Sequence, residues 1–352
     1  MKIKRSKPYI EEDDVLAVAE AVKSGMHGRG EVVERFEKKM SKLVGAKYAR
    51  ATTSGTTALH LALLSLGVGE CDEVIMPSYV CHTVMGAVYH SRAKPVLADI
   101  DDEFAQKGCN VSARTIKKLI NKKTKAIIVP HMFGIPAEID EIIEFGVPLI
   151  EDCGGSLGTK YKGGMTGGIG KIGIFSFYAT KTITTGQGGM IVTSSDEIFD
   201  KINDLTEYDQ REYSGIAYNY ELTNIQAALG ISQLVKLEKF ILRRKEIASR
   251  YDEAFGKLNI SLFPRVEESY PYRYLLKFKD SKQREFVEKR LKEEDIGVDR
   301  PVFRPLHRYL GLDKEKFKNS EEAHETILSI PVYPSLKDAE VKRIIDELKK
   351  CF

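Results

Sequence analysis

One lysine, Lys181, stands between Thr180 and Thr182 in the stretch from Lys171 to Ile191, and Gly186, Gly188 and Gly189 follow it before a second apolar run. A lysine at the end of a strand, followed by glycines that let the backbone approach a ligand, suits a protein that holds a carbonyl compound as a Schiff base. Read alone, Lys181 is also consistent with one more solvated side chain among 54 lysines and arginines. Ser54, Gly55 and Thr56 open a predicted helix after a short strand. Such a turn offers free backbone N–H groups and the positive end of the helix dipole to an anion, as a phosphate site requires. It also reads as an ordinary Ser/Thr helix cap, and both readings can hold at once, because hydroxyls that cap can also bind phosphate. Asp152 comes at the C-terminal end of the apolar run VPLIEDCGG, and Ser176 lies within the β-rich run that leads to Lys181.

The elements that must position these groups alternate along the chain. Residues 1–10 read as an extended arm, Glu11 to Gly25 as a helix with acids at its front, and EVVERFEKKMSKLVGA as an amphipathic helix closed by Gly45. Strands follow at Tyr48–Thr53, EVIMPSYV, KPVLADID, KAIIVPHMFG and VPLIEDCGG, with helices at TSGTTALHLALLSLG, TIKKLI and AEIDEIIEFG between them. That order indicates an α/β fold with a mostly parallel sheet covered on both faces, whose ligands bind beyond the carboxyl ends of its strands. Asp152, His131 and the loop after Met76 then point toward one crevice. Residues 196–211 read as a helix, and the segment from Ser214 to Phe255 as a loop running into one or two long helices. Helical periodicity breaks near Gly256, which divides the 352 residues into a large domain at 1–255 and a small α+β domain at 256–352. The small domain reads as strand YRYLLKF, helix SKQREFVEKRLKEED, strand VDRPVF, a loop with Pro305 and His307, and a final helix from Asp338.

The stretch SFYATKTITTGQGG closely resembles the pyridoxal-phosphate (PLP) lysine segment of the DegT/DnrJ/EryC1/StrS family of nucleotide-sugar aminotransferases. The resemblance runs from Pro8 to SIPVYPSL. It implies an aspartate-aminotransferase-like fold (PLP fold type I), with Ser54, Gly55, Thr56 and Ser176 at the cofactor phosphate. Asp152 would keep the ring nitrogen protonated, and Lys181 would bind the cofactor and later move the substrate proton. AYNYELTNIQAALG resembles the segment whose asparagine reaches the cofactor of the neighbouring subunit, here Asn219, which implies a homodimer with shared sites. The position that often carries a ring-stacking aromatic falls on Cys81, beside His82. His131 and His307 also match family motifs, and with Tyr178 they are candidates for substrate contact. Two positions depart from the pattern: Gly155 stands where glutamine is usual, and Glu221 where arginine is common.

Composition narrows the function classes. A net charge of +3 with interleaved signs does not suggest nucleic acid or an anionic membrane as partner. The five cysteines contain no CxxC pair, so neither a disulfide framework nor a metal site is expected, and a reducing cytoplasm fits best. The glycines of GGMTGG and GQGG follow no strand-turn-helix order that would mark a dinucleotide site. The expected activity is transfer of an amino group from glutamate, or glutamine, to a keto group of a nucleotide-activated sugar. A keto-inositol acceptor, a sugar dehydratase and a PLP-binding regulatory protein are the alternatives. Dehydratase members carry histidine at the lysine position, so Lys181 speaks against that one.

Overall fold

The computed structural model describes residues 2–209, 212, 214–258 and 260–352. Its central sheet is built from β1 (Tyr48–Thr52), β2 (Glu73–Pro77), β3 (Lys94–Ala98), β4 (Thr124–Pro130) and β5 (Leu149–Asp152), joined by β8 (Ile172–Ser176) and β9 (Gly189–Thr193). A short hairpin of β6 (Lys160–Tyr161) and β7 (Gly164–Met165) projects between β5 and β8. The strand order is β1-β9-β8-β5-β4-β2-β3. Strands β3, β2, β4, β5 and β8 run parallel, and β9 alone is antiparallel to both of its neighbours. Strand interiors are nearly all apolar, as burial on both faces demands: β2 and β9 are buried along their whole length.

A three-stranded antiparallel sheet follows, β10 (Ser261–Leu262), β11 (Tyr274–Lys277) and β12 (Ile327–Ile330), in the order β10-β11-β12. The helix Leu237–Phe255 joins the two parts. Leu237 and Phe240 pack with the helix Glu31–Val44, while Ile247, Tyr251 and Phe255 pack with the small sheet. We propose the division after Phe255 because the helix ends there and the small sheet begins within a few residues. The N-terminal arm crosses to this part, where Ile3 is fully buried and bridges Ile296.

Several expected elements differ. VDRPVF forms no regular strand and contributes only an isolated bridge from Asp299 to Ser329. The helix expected over 196–211 ends at Thr206, and Gln210 and Arg211 lie outside the described residues. AEIDEIIEFG yields a single turn, Asp140–Ile143. The helices His82–His90 and Lys318–Thr326 were not expected.

His307 and Glu321 clasp the small part to the large sheet. The loop after β2 supplies Ser78, whose hydroxyl lies 2.7 Å from His307 Nδ1; His307 Nε2 meets Glu321 Oε1 at 2.7 Å, and Arg308 forks onto Glu321. The Arg308 bonds hold the Glu321 carboxyl down at about 2, with the His307 bond adding to them against the cost of burial. A carboxylate whose folded value lies below its unfolded one contributes stability above the unfolded value and loses it as pH falls toward the folded value. Glu321→Gln should therefore cost about 2 kcal/mol at pH 7. In denaturant unfolding, that difference from wild type should shrink steadily from roughly pH 4.5 downward.

Candidate active site

β1 is antiparallel to β9 and β9 to β8, so β1 ends at the same sheet edge as β8 and β5. That edge carries the turn after β1, Asp152 and Ser176. Ser54 caps the helix Gly55–Ser65, its hydroxyl accepting from the Thr57 N–H at 3.1 Å. Gly55 must be glycine: a methyl group there would lie 2.8 Å from Ser176 Cβ. The helix start is thus pressed against the end of β8, and the Ser176 hydroxyl would lie 3.2 Å from the same methyl group.

Lys181 is not at a strand end as expected. It sits in the turn five residues beyond the end of β8, where its N–H donates to the Tyr178 carbonyl at 2.9 Å. This places its amine above the turn that follows Asp152. A methyl group on Gly154 would lie 3.0 Å from Asp152 Oδ1, 3.3 Å from Lys181 Nζ and 3.7 Å from Ser176 Cβ. The absence of a side chain at 154 leaves a hollow where carboxylate, amine and serine converge. Asp152 Oδ1 accepts the Gly154 N–H at 2.9 Å. Burial raises the Asp152 carboxyl above its usual range, against the opposing pull of the Gly154 N–H, Lys181 and His131. A buried carboxylate in that condition suits a cationic partner such as a protonated ring nitrogen. The hollow, the carboxylate, the lysine and the helix start together fit a phosphorylated aromatic aldehyde.

His131 and His307, expected at the substrate, are both buried and fully engaged. His131 Nδ1 accepts the Ala137 N–H at 3.0 Å, so Nε2 carries the proton and donates to Glu151 at 2.9 Å. Glu151 also accepts from the N–H groups of Gly167, Ile169 and Gly170, which fixes the hairpin behind the sheet. His131, Glu151 and Cys153 lie close enough to bind a metal ion, but the carboxylate is already saturated with donors, and burial pushes the Cys153 thiol well above its usual range. His307 is held between Ser78 and Glu321 and stacks on Phe317 at 4.5 Å. Neither has a ring nitrogen left to offer a substrate.

Tyr178 is 46% exposed. Cys81 caps the helix His82–His90 and accepts from the Thr83 hydroxyl at 3.3 Å, so that position supplies no ring. Thr56 is half-buried one residue into the cradle helix, and Asn219 is exposed on the single chain. Glu221 is built into a charged cluster, 3.5 Å from Arg29 and 3.3 Å from Arg50, with Glu37 bonded to Arg29 and to the Ala51 N–H. Tyr272, which no spacing singled out, lies with its ring centroid 5.5 Å from Lys181 Nζ. In the sequence it reads as part of an ordinary strand 91 residues downstream.

Among the described residues, no helix is long and apolar enough to cross a membrane. The family model for DegT/DnrJ/EryC1/StrS aminotransferases matches residues 8–349. GDP-perosamine synthase of Escherichia coli O157:H7 is 33% identical over 338 residues, covering 92% of this chain and 91% of that one. Helicobacter pylori PseC, an aminotransferase involved in the biosynthesis of pseudoaminic acid, superposes with a TM-score of 0.90 at 25% identity, covering 100% and 99% of the two chains. Spr1654 from Streptococcus pneumoniae, in its PLP form, gives 0.92 at 26% identity, covering 100% and 98%. The chain belongs to the DegT/DnrJ/EryC1/StrS aminotransferase family, and its cofactor is pyridoxal 5'-phosphate.

Proposed function

We propose that this enzyme moves an amino group from glutamate to the keto group of a nucleotide-activated sugar. The observation that carries the reading is the convergence of Lys181 Nζ, Asp152 Oδ1 and Ser176 on the hollow over Gly154. In this reading, Ser54, Gly55, Thr56 and Ser176 hold the cofactor phosphate, and Asp152 keeps a positive charge on the ring nitrogen. When bound, the cofactor supplies the electron sink for the bond broken at the amino-bearing carbon. Lys181 holds it at rest; once released, its amine carries the proton between donor carbon and cofactor.

The donor and acceptor readings each have support. Arg5 and Arg273 line a narrow crevice together with Thr180 and Tyr272, beside the lysine turn. Both guanidiniums pair with Asp299, and the net positive charge of that trio suits one carboxylate of an amino-acid donor. Phe303, 87% exposed, with Arg304 and Lys314, lines an open cleft of about 520 Å³. Aromatic and cationic groups together suit a base and a diphosphate. Tyr309 ties this cleft to the site: Arg304 lies over its ring, and His82, next to Cys81, packs on it at 4.9 Å. An assembly of two chains with shared sites is supported by exposed Asn219 and by apolar Val15, Leu16, Val22 and Met26 on the outer side of the first helix and its following turn.

The test is the visible spectrum of the purified protein, run alongside a mass measurement that should give twice 39.6 kDa. Glutamate should discharge the band of the lysine-bound cofactor, and one nucleotide keto sugar from a panel should restore it. A band that no amino donor discharges would overturn the reading in favour of a regulatory or dehydratase role. Restoration by a keto-inositol alone would move the acceptor to that class.

A further inference from the structure

Gly155 lacks the glutamine side chain usual at its position, and the space is filled from another segment. A methyl group on Gly155 would lie 2.8 Å from Tyr272 Cδ1 and 3.2 Å from Cε1, so the phenol ring rests directly on the glycine. Tyr272 is held by its backbone as well as its ring. Its backbone N–H donates to the Phe133 carbonyl at 3.0 Å, and its carbonyl accepts from Arg244 at 3.1 Å. Arg244 is itself buried, bonded also to the Val332 carbonyl, with its guanidinium 5.7 Å from the ring centroid. The phenol hydroxyl donates to the carbonyl of Thr180 at 3.3 Å, the residue before Lys181. Lys181 Nζ stands 5.5 Å from the ring. Tyr272 therefore spans the gap between the two turns that carry the reacting groups, one following Asp152 and the other containing Lys181.

The electrostatics agree with this placement. Burial would raise the phenol, but the charges of Lys181, Arg273 and Arg244, with a smaller contribution from the Thr180 side chain, outweigh it and hold the phenol below its usual range. Lys181 thus helps set where the Tyr272 proton sits.

We propose that Tyr272 takes over the place of the missing glutamine, walling the cofactor site beside Asp152 and positioning Lys181. It is a positioning residue, and the proposal rests on the reading of Lys181 as the cofactor lysine. Glycine at 155 and tyrosine at 272 then form a matched pair: a side chain can stand at one position only if the ring is absent from the other.

The experiment compares wild type, Gly155→Gln, Tyr272→Ala, the Gly155→Gln/Tyr272→Ala double variant and Tyr272→Phe. Cofactor affinity of the apo protein is measured by titration, together with the pH midpoint of the lysine-bound cofactor band and the melting temperature of each apo protein. Gly155→Gln should weaken cofactor binding about tenfold or more, because glutamine and ring overlap. The double variant should recover most of that loss. Tyr272→Phe, which keeps the wall and removes the hydroxyl, should bind cofactor like wild type but move the band midpoint by about half a pH unit or more. Gly155→Gln binding as tightly as wild type, a double variant no better than the single one at equal melting temperature, or an unmoved midpoint in Tyr272→Phe would overturn the role of Tyr272 alone. A wild-type protein that forms no lysine-bound band would overturn the reading of Lys181 and this proposal with it.

Discussion

Lys181→Ala is expected to abolish amino transfer, with a loss of at least about 10⁴-fold, the upper end of what a single acid–base group supplies. Two functions are lost together: the attachment that holds the cofactor in register over Gly154, and the amine that carries the proton. The loss should not come from unfolding, because Lys181 lies half-buried in a turn and its backbone bond to Tyr178 is retained. Single-turnover absorbance with glutamate separates the two effects. The variant should show no lysine-bound band at any pH, and free cofactor added in excess should not restore turnover. A variant that still discharged at the wild-type rate would refute the assignment. In the apo protein, removing this amine also removes a charge that opposes the upward shift of Asp152, so that carboxyl should titrate still higher.

Asp152→Asn should have the second largest effect, about 10²–10⁴-fold on turnover, with the opposite sign on stability. Asparagine keeps an oxygen to accept the Gly154 N–H, so the turn survives, and Lys181 should still capture the cofactor. What disappears is the negative charge facing the ring. The Asp152 carboxyl is raised in the folded protein. A group whose folded value exceeds its unfolded one favours folding when protonated, and that contribution is lost as pH rises through the folded value. The ionised form of Asp152 therefore burdens the apo protein, and asparagine relieves it. The apo variant should melt no lower than wild type while its turnover collapses. A melting temperature well below wild type would show that Asp152 is chiefly a structural group.

Much of the sheet was legible because its strands are short apolar runs punctuated by Gly, Pro and Asp, and because the phosphate-type turn and Asp152 fall where such runs end. The helix His82–His90 was missed for a physical reason. HTVMGAVYH buries Val84, Met85, Ala87 and Val88, and an apolar stretch of that length shows no polar face to mark a helix. VDRPVF reads as a strand by composition, yet Pro301 removes a ladder donor and the segment turns away to deliver His307. Local sequence could not distinguish His131 and His307 from substrate ligands, since their partners Glu151, Ser78 and Glu321 are set by tertiary packing. Tyr272 escaped for the same reason: its meaning depends on an empty position at Gly155.

The cluster around Glu221 bears on how this chain diverged. Its carboxylate is matched to Arg29 in the loop after the first helix and to Arg50 on β1, while Glu37 on the second helix shares Arg29. Restoring at 221 the arginine common in the family would replace the carboxylate that Arg29 and Arg50 share with a third guanidinium. The four positions must therefore drift together, and a lineage that has acquired the set cannot revert one residue at a time. In sequence comparison, positions 29, 37, 50 and 221 should covary as a block.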